Sequence, residues 1–363
     1  MEPSLDGNGF QDQHSPDATA PREDIDQMVR VQADTMPDRG EVHYDSGMPS
    51  DMTLRTDADA AMHDELACEP DPIACAEISA YWNGSASRYP IVLVHGFMGW
   101  DRRWWLDYFY DIPQTLHESG YSVFVAAMDP VASSEVRSEQ LSIFLDAVLA
   151  CSCKEKVNLI GHSQGGLDAR MIIGPHNRKQ DVASITTISS PHLGFQLADD
   201  VLAAQGLGPA FLNALTTLTS TLFLGPAENE NDLRATLHAM SIETRSAYNQ
   251  RFPDPPEVPI YSYAGFTGPL SNGGAVCSSG RFESPERGDL VEPALLVLYG
   301  LLGGAQQPND GVVPVDACVW GEFLGCIAAD HWDQIGQAAG LSDQFDFRAF
   351  YRTHAAFLSE QGF

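Results

Sequence analysis

One short segment has the residue types and the spacing of a nucleophilic centre. The run Gly161-His162-Ser163-Gln164-Gly165-Gly166 fits the pattern G-x-S-x-G and directly follows an apolar run at 157–160. The glycines permit a tight turn from a strand into a helix, and such a turn presents the serine hydroxyl above the end of the strand. The segment therefore predicts Ser163 as the nucleophile of an acyl-transfer reaction.

A serine hydroxyl attacks poorly unless a base removes its proton, so a histidine and an acid must accompany Ser163. In this strand–turn–helix context the chain order is serine, acid, histidine. His331 lies in a polar loop late in the chain and is the predicted base, whereas His192 is expected to be structural and His354 to be a packed or surface histidine. Asp310, in an Asn-Asp-Gly turn before His331, is the predicted acid.

The tetrahedral intermediate of acyl transfer also needs N–H donors for its oxyanion. One expected donor is the backbone N–H of Gln164, the residue after the nucleophile. The other is expected in the loop 95–100, which follows the first apolar run, and Phe97 is the natural candidate there. These groups would complete the machinery of a serine hydrolase.

The elements that must position these residues are short apolar runs that alternate with helical patterns. Strands are predicted at 89–96, 121–127, 157–160, 185–188, 260–265 and 312–315, and residues 138–150 carry an apolar helical face. Such alternation is typical of a mostly parallel sheet with helices on both faces. The predicted fold class is therefore α/β.

Composition divides the chain of 363 residues into two parts. Residues 1–88 contain 19 acidic and 5 basic residues and few apolar ones. They are predicted to form a largely disordered extension before a domain at 89–363, with the part around 68–82 packing on that domain. The formal net charge of −30 argues against a nucleic-acid partner, because phosphate would be repelled.

The segment 201–227 contains no charged residue. Within it, Phe211, Leu215, Leu218 and Leu222 recur on one helical face, and the segment is too short and interrupted to cross a membrane. Two buried helices are one interpretation. The other, favoured because of the family resemblance given below, is a lid at about 195–228 that shields the site in water and turns its apolar face to lipid.

Export and cysteine pairing remain open from the residues alone. The first residues lack the basic and apolar stretches of a signal peptide, so either the protein is not exported or the chain begins after a cleaved signal. Seven cysteines leave at least one free or paired with another chain. Cys68 and Cys75 could close a small loop, and Cys151-Ser152-Cys153 is only a weak metal motif.

Several segments, in this order, resemble the secreted triacylglycerol lipases of Pseudomonas and Burkholderia, which are α/β-hydrolases. They are VLVHGFMG at 92–99, SEVRSEQL at 134–141, KVNLIGHSQGG at 156–166, SPHLG at 190–194, NDGVV at 309–313 and HWDQIGQAAGL at 331–341. The resemblance spans about 91–357 and implies a helical lid and a catalytic triad of Ser163, Asp310 and His331. It also implies oxyanion donors at Phe97 and Gln164, and Arg137 as a tether of the oxyanion loop. Family members usually have His where Gln164 stands, which leaves the backbone N–H unaffected.

The resemblance further implies one calcium ion that holds the loop of the catalytic histidine. Its ligands would be Asp333, Gln337, the carbonyl of Leu341 and a fourth carboxylate. The family has Asp before Pro at that fourth position, whereas this chain has Glu292 there, with Asp289 as a rival. Oxygen ligands of this kind suit calcium.

Three other expectations rest on the same resemblance. A disulfide should involve Cys318, with Cys277 or Cys326 as its partner. The protein should be secreted, and a lipase-specific folding chaperone should assist it. Its substrate should be a lipid ester at a lipid–water interface.

The prediction from all of this is a triacylglycerol lipase that hydrolyses the carboxylic esters of acylglycerols through a Ser-His-Asp triad and an acyl-enzyme. The alternatives are a carboxylesterase acting on soluble short-chain esters and an acyltransferase that uses an alcohol in place of water. A non-catalytic binding module on the same fold would not need the triad and the oxyanion loop together.

Overall fold

The computed structural model describes residues 83–97, 99, 107–203, 230–337 and 345–363, together with residues 70, 71, 73, 75, 78, 80 and 81. By backbone proximity the chain divides into Met1–Glu65 and Leu66–Phe363, and every described residue belongs to the second unit. Leu341, most of the predicted lid with its four apolar residues, Cys68 and nearly all of the predicted extension lie outside the described residues.

Seven strands of the described residues form one sheet in the order β1-β3-β2-β4-β5-β6-β7. The strands are β1 (Ala80–Tyr81), β2 (Ile91–Val94), β3 (Val123–Val125), β4 (Val157–His162), β5 (Val182–Ile188), β6 (Ile260–Phe266) and β7 (Glu322–Ala328). Neighbouring strands pair in parallel, except that the edge strand β1 runs antiparallel to β3. The predicted mostly parallel sheet is confirmed.

Helices cover both faces of this sheet. They are α1 (Ile112–Glu118), α2 (Ser134–Ser152), α3 (Gln164–Ile173), α4 (Gln196–Ala203), α5 (Glu230–Ala239), α6 (Ile242–Arg251), α7 (Gly274–Cys277), α8 (Leu296–Leu301) and α9 (Phe347–Glu360). Side chains of β2 alternate between two cores: Ile91 and Leu93 pack with α1 and α9, whereas Val92 and Val94 pack with α2 and α3. A strand buried on both faces explains why its sequence is a continuous apolar run.

One predicted strand is wrong, and two strands, the short edge strand β1 and β7, were not predicted. The valine-rich run at 312–315 is a turn followed by a 3-10 helix, Val315–Cys318. The backbone N–H groups of Val312 and Val313 donate to Asp310 Oδ1, at 2.9 and 2.7 Å, so they are not free for a strand partner. Pro314 has no N–H to donate. The last strand of the sheet is instead β7, which lies beside β6.

The cysteine pairing differs from two expectations. Cys75 is bonded to Cys151 at the end of α2, so the loop between Cys68 and Cys75 is wrong. Cys277 is bonded to Cys326, so neither is the partner of Cys318. The thiol of Cys318 is free and buried beside the carbonyl of Pro314. Pairing depends on which chain segments meet in the fold, and spacing along the chain does not report that.

The described residues just before position 83 pack on the domain, as expected. The disulfide of Cys75 attaches this segment to α2. Farther along, Ala80 and Tyr81 pair with Phe124 and Val123 of β3. Cys153 is also disulfide-bonded, which removes the Cys-Ser-Cys motif as a metal site.

Candidate active site

The turn at Ser163 joins β4 to α3 with strained backbone geometry. Ser163 has φ 56° and ψ −128°, which a residue with a side chain adopts only when its surroundings impose it. Its N–H donates to Ile188 O at 2.9 Å, which fixes the turn to β5. Only glycine fits at position 165, because a Cβ there would lie 2.2 Å from Val94 O. The G-x-S-x-G spacing is thus required by the close approach of α3 to β2.

Asp310 and His331 meet beside the carboxyl ends of β6 and β7. His331 Nδ1 lies 2.6 Å from Asp310 Oδ2. The ring of His331 packs on His162, the residue before the nucleophile, with 4.4 Å between ring centroids. The structure therefore brings the three predicted triad residues to one edge of the sheet, where parallel α/β folds place their sites.

The carboxylate of Asp310 is fully buried but well supplied with donors. Burial opposes its charge, yet His331 and the N–H groups of Val313 and Val312 outweigh burial and hold the pKa of Asp310 below its ordinary value. Asp310 Oδ2 also accepts a hydrogen bond from Gln334 Nε2 at 3.0 Å. An ionised acid in this position orients the ring of His331 and stabilises the imidazolium.

The predicted oxyanion loop lies directly against the nucleophile. A Cβ on Gly96 would come within 2.7 Å of Ser163 Cβ, so only glycine allows this approach. Gln164 begins α3, and the first N–H groups of a helix have no acceptor within the helix. Phe97 is half-buried in the same loop and packs on the core that includes Leu167 of α3.

Arg137 holds the base of that loop, as the resemblance implies. Its guanidinium donates to His95 O, to Asp129 O at 2.7 Å and to Asp168 Oδ2 at 2.8 Å. Arg137 and Asp168 are both fully buried. Burial raises the pKa of Asp168, while Arg137 favours its charged form. The ion pair thus keeps a buried cation in place, and that cation binds the carbonyl where the oxyanion loop begins.

A second group of carboxyls surrounds the loop that carries His331. Asp330 caps the loop: its Oδ1 accepts the N–H groups of Trp332 and Asp333, and its Oδ2 accepts the N–H of Glu292 at 3.2 Å. Burial and the neighbouring Asp330 and Asp289 raise the pKa of Asp333 to about 9. Burial and Asp289 raise the pKa of Glu292.

Of the predicted calcium ligands, Asp333, Gln337 and Glu292 lie here, together with the rival Asp289, whereas Leu341 lies outside the described residues. Asp333 and Asp289 are both buried and contact each other, whereas Glu292 is half-exposed. Among the described residues, Asp333 Oδ1 and Asp289 Oδ2 have no hydrogen-bond partner. The amide nitrogen of Gln337 donates to two backbone carbonyls, of residues 107 and 108. In the described part of the chain, no three His, Cys, Asp or Glu side chains stand in metal-binding geometry.

Comparison with known proteins identifies the family. Residues 89–267 match the family model of the alpha/beta hydrolase fold. Triacylglycerol lipase from Vibrio cholerae is 32% identical over 291 residues, which cover 76% of this chain and 89% of that protein. Triacylglycerol lipase from Pseudomonas fragi is 32% identical over 297 residues, which cover 76% of this chain and 98% of that protein.

The chain belongs to the triacylglycerol lipase family.

As a member of this family it is a serine ester hydrolase. A solved structure of lipase 1 from Pelosinus fermentans superposes with a TM-score of 0.51 at 20% identity, covering 76% of this chain and 99% of that one. A metagenomic carboxyl esterase superposes with a TM-score of 0.54 at 15% identity, covering 77% of each chain. At these identities the two structures show the shared fold.

Two other histidines of this family member are packed. His354 is bound by Thr186 Oγ1 at 2.7 Å and Tyr263 OH at 3.2 Å, and burial lowers its pKa to about 3. His192 is bound by Thr187 Oγ1 at 2.9 Å, and burial lowers its pKa as well. Neither imidazole reaches the triad.

Two polar side chains next to the triad of this family member were missed by sequence reasoning. Gln334 donates to Asp310, and Tyr108 OH lies 2.8 Å from His162 Nδ1. Spacing along the chain signals neither contact, because the contacts join residues 24 and 54 positions apart.

Proposed function

We propose that the enzyme hydrolyses triacylglycerols through an acyl-enzyme on Ser163, with His331 as base and Asp310 as its orienting acid. The observation that carries this proposal is the contact of 2.6 Å between His331 Nδ1 and Asp310 Oδ2 beside the strained turn of Ser163. Binding of Nδ1–H by the carboxylate leaves Nε2 of His331 as the proton acceptor. The relatives named triacylglycerol lipase support the substrate class.

In the proposed reaction, His331 Nε2 takes the proton of Ser163 as Oγ attacks the ester carbonyl carbon. The carbonyl oxygen gains the negative charge, and the backbone N–H groups of Gln164 and Phe97 donate to it. The intermediate collapses when His331 returns the proton to the departing alkoxide, which leaves as the alcohol. Water then attacks the acyl-enzyme by the same steps and releases the fatty acid.

An apolar surface near the site supports a substrate in the form of a lipid aggregate. The outer half of α8 exposes Leu296, Val297 and Leu301, although such side chains are usually covered. No charged residue occurs from 293 to 309, in a chain that is 19% charged. Leu295, on the inner half, contacts the turn at Gly311 beside Asp310. An uncharged apolar surface at this place suits neutral lipid, and the proposed lid lies outside the described residues.

We also propose that a calcium ion binds at Asp333, with Asp289 favoured over Glu292 as the second carboxylate. The fit rests on two buried carboxyls that contact each other and each keep an oxygen without a partner among the described residues. Gln337 donates through its nitrogen, which leaves the amide oxygen as a ligand. Leu341 would supply a carbonyl. Calcium would let both carboxylates ionise and would hold the loop of His331.

Secretion and a folding chaperone complete the proposal. Disulfides such as Cys75–Cys151 and Cys277–Cys326 are typical of an oxidising compartment outside the cytosol. Among the helices described here, none has the length and apolar character to cross a bilayer. The chaperone rests on the family resemblance alone.

The proposed function is tested by hydrolysis of triglycerides of increasing chain length, below and above their solubility limits. We expect turnover of emulsified triolein, and a rise in rate where a short-chain triglyceride begins to form droplets. Ser163→Ala should lose on the order of 10⁶-fold in rate with an unchanged circular dichroism spectrum. Turnover confined to dissolved esters would replace the lipase with a carboxylesterase, and near wild-type turnover by Ser163→Ala would remove the nucleophile.

A further inference from the structure

A row of buried polar side chains runs from the oxyanion loop to the catalytic acid. Tyr108 OH lies 2.8 Å from His162 Nδ1. His162 meets Gln334, and Gln334 Nε2 lies 3.0 Å from Asp310 Oδ2. His162 and Gln334 are fully buried, and Tyr108 is nearly so. Buried polar groups in contact are expected to pair with one another, because a buried donor or acceptor without a partner costs free energy.

The acid end of the row determines how Gln334 is oriented. The ionised carboxylate of Asp310 can only accept, so the amide nitrogen of Gln334 faces it. The amide oxygen of Gln334 then faces His162 and needs a donor. Among the described residues, Gln334 Oε1 and His162 Nε2 are both buried and have no hydrogen-bond partner. The two side chains interact, so we take each of these atoms as the partner of the other. The proton on His162 is therefore on Nε2, and it points to Gln334.

The other end of the row fits the same direction. The backbone of Gly96, in the oxyanion loop, hydrogen bonds the phenol oxygen of Tyr108. With that N–H as donor, the hydroxyl of Tyr108 can donate to His162 Nδ1, as the tautomer with its proton on Nε2 requires. Every donor in the row then points toward Asp310.

Burial also keeps the two titratable side chains of the row, His162 and Tyr108, in their neutral forms. Burial, together with the nearby His331, lowers the pKa of His162 well below its ordinary value, so this ring stays neutral next to the catalytic histidine. Burial raises the pKa of the Tyr108 phenol, so the hydroxyl stays protonated. A neutral ring on which His331 stacks does not compete with it for the proton of the serine.

We infer that Tyr108, His162 and Gln334 are positioning residues that form one hydrogen-bond chain from the oxyanion loop to Asp310. The chain rests on the proposed function, because it acts through the proposed acid. Its last member donates to Oδ2, the same oxygen that His331 binds, and so restrains the plane of the carboxylate. The carboxylate would keep its geometry while His331 gains and loses a proton.

The neighbouring strand leaves room for this arrangement only because it carries a glycine. A Cβ on Gly265 of β6 would lie 1.9 Å from Gln334 Nε2. The amide therefore fills space that any other residue at position 265 would take. The space and the amide fit each other, as expected if the amide has to reach Asp310.

The experiment is a double-mutant cycle on a dissolved short-chain ester, with kcat and KM measured separately. Tyr108→Phe removes the first donor, and Gln334→Met removes the last donor without adding charge. Each should lower kcat about tenfold or more, as expected for a hydrogen bond that acts on a charged group, with KM within about twofold. The double variant should be no slower than the slower single variant, because either change breaks the same chain.

Tyr351→Phe is the matched control. Tyr351 is buried in the same core as Tyr108, and within the described residues its hydroxyl has no hydrogen-bond partner. The loss of that hydroxyl should leave kcat unchanged. If Gln334→Met does not fold, Gln334→Glu keeps the shape and replaces the amide donor with a like charge, so kcat should fall further.

Three results would overturn the inference. If the fold-losses in kcat of the two single variants multiply in the double variant, the two residues have independent roles. A change in KM alone would show contact with substrate, and a wild-type kcat in Tyr108→Phe would show that Tyr108 has no role. Failure of the proposed nucleophile is seen separately, as activity retained by Ser163→Ala on the same ester. Failure of the lipid substrate does not affect the cycle, because the ester is dissolved.

Discussion

Asp310 and Asp333 are both buried carboxyls beside the loop of His331, yet their surroundings shift their pKa values in opposite directions. Asp310 accepts two backbone N–H groups and the amide of Gln334, and it faces His331, so its pKa lies below the ordinary value. Asp333 faces the acidic side chains of Asp330 and Asp289, and its pKa rises to about 9. Burial is common to both, so it is the partners that decide whether a buried carboxyl is charged.

The two carboxyls differ in how many of their oxygens have partners. The hydrogen-bond donors to Asp310 all lie within the chain. Asp333 keeps an oxygen that, within the described residues, nothing binds. The calcium ion proposed above would supply a partner for that oxygen. The three predictions below test each half of this contrast and then extend it to a base.

The largest effect is expected from Asp310→Asn. The amide has the shape of the carboxylate but no charge, so it neither stabilises the imidazolium nor selects the correct tautomer of His331. We expect kcat on a dissolved ester to fall by about 10⁴-fold, by analogy with the equivalent change in the serine-protease triad. KM and the circular dichroism spectrum should stay close to wild type. A variant with more than a tenth of wild-type kcat would mean that another acid orients His331.

The second effect concerns calcium and the stability of the folded enzyme. Calcium at about a hundred times its Kd should add about 2.7 kcal/mol to the free energy of unfolding, since only the folded state binds it. Thermal denaturation in calcium and in chelator measures this difference. Asp333→Asn should abolish the calcium response, whereas Asp146→Asn, on the exposed surface of α2, should keep it.

Two further variants decide which carboxyl completes the calcium site. Asp289→Asn should weaken the calcium response more than Glu292→Gln does, because Asp289 is the buried partner of Asp333. The reverse order would restore Glu292, the residue that the sequence favoured. An equal melting temperature of the wild type in calcium and in chelator would remove the metal site altogether.

The same contrast explains how much of the site the sequence could predict. The turn at Ser163 follows from local constraints, because β4, the glycines and α3 are adjacent in the chain and leave one conformation. Asp310 and His331 could be assigned because chain order restricts the candidates. The hydrogen-bond donors that keep the carboxylate of Asp310 ionised could not all be found in this way. Gln334 was overlooked because an amide has no chemistry of its own at this step.

The errors in the fold have the same origin. The run at 312–315 has the composition of a strand, but the carboxylate of Asp310 takes the N–H groups that a neighbouring strand would need. The disulfides join residues 76 and 49 positions apart, and their partners were set by which elements pack together. Local patterns thus predict elements, while contacts across the fold decide how their polar groups are used.

The third prediction extends the comparison to a buried base, and its effect is measured as a change in the pH dependence of stability. His354 has neutral partners, Thr186 and Tyr263, so burial is uncompensated and its pKa falls from 6.5 to about 3. The unfolded chain takes up a proton below pH 6.5 that the folded chain refuses until about pH 3. The stabilisation is therefore complete above pH 6.5 and is lost as the pH falls toward 3. His354→Gln should reduce the slope of unfolding free energy against pH by about 1.4 kcal/mol per unit near pH 4.5. Urea denaturation at several pH values measures the slope, and His238→Gln, at an exposed position, is the control. An unchanged slope in His354→Gln would mean that His354 is protonated in the folded enzyme. Burial among neutral partners would then not be enough to keep this imidazole neutral.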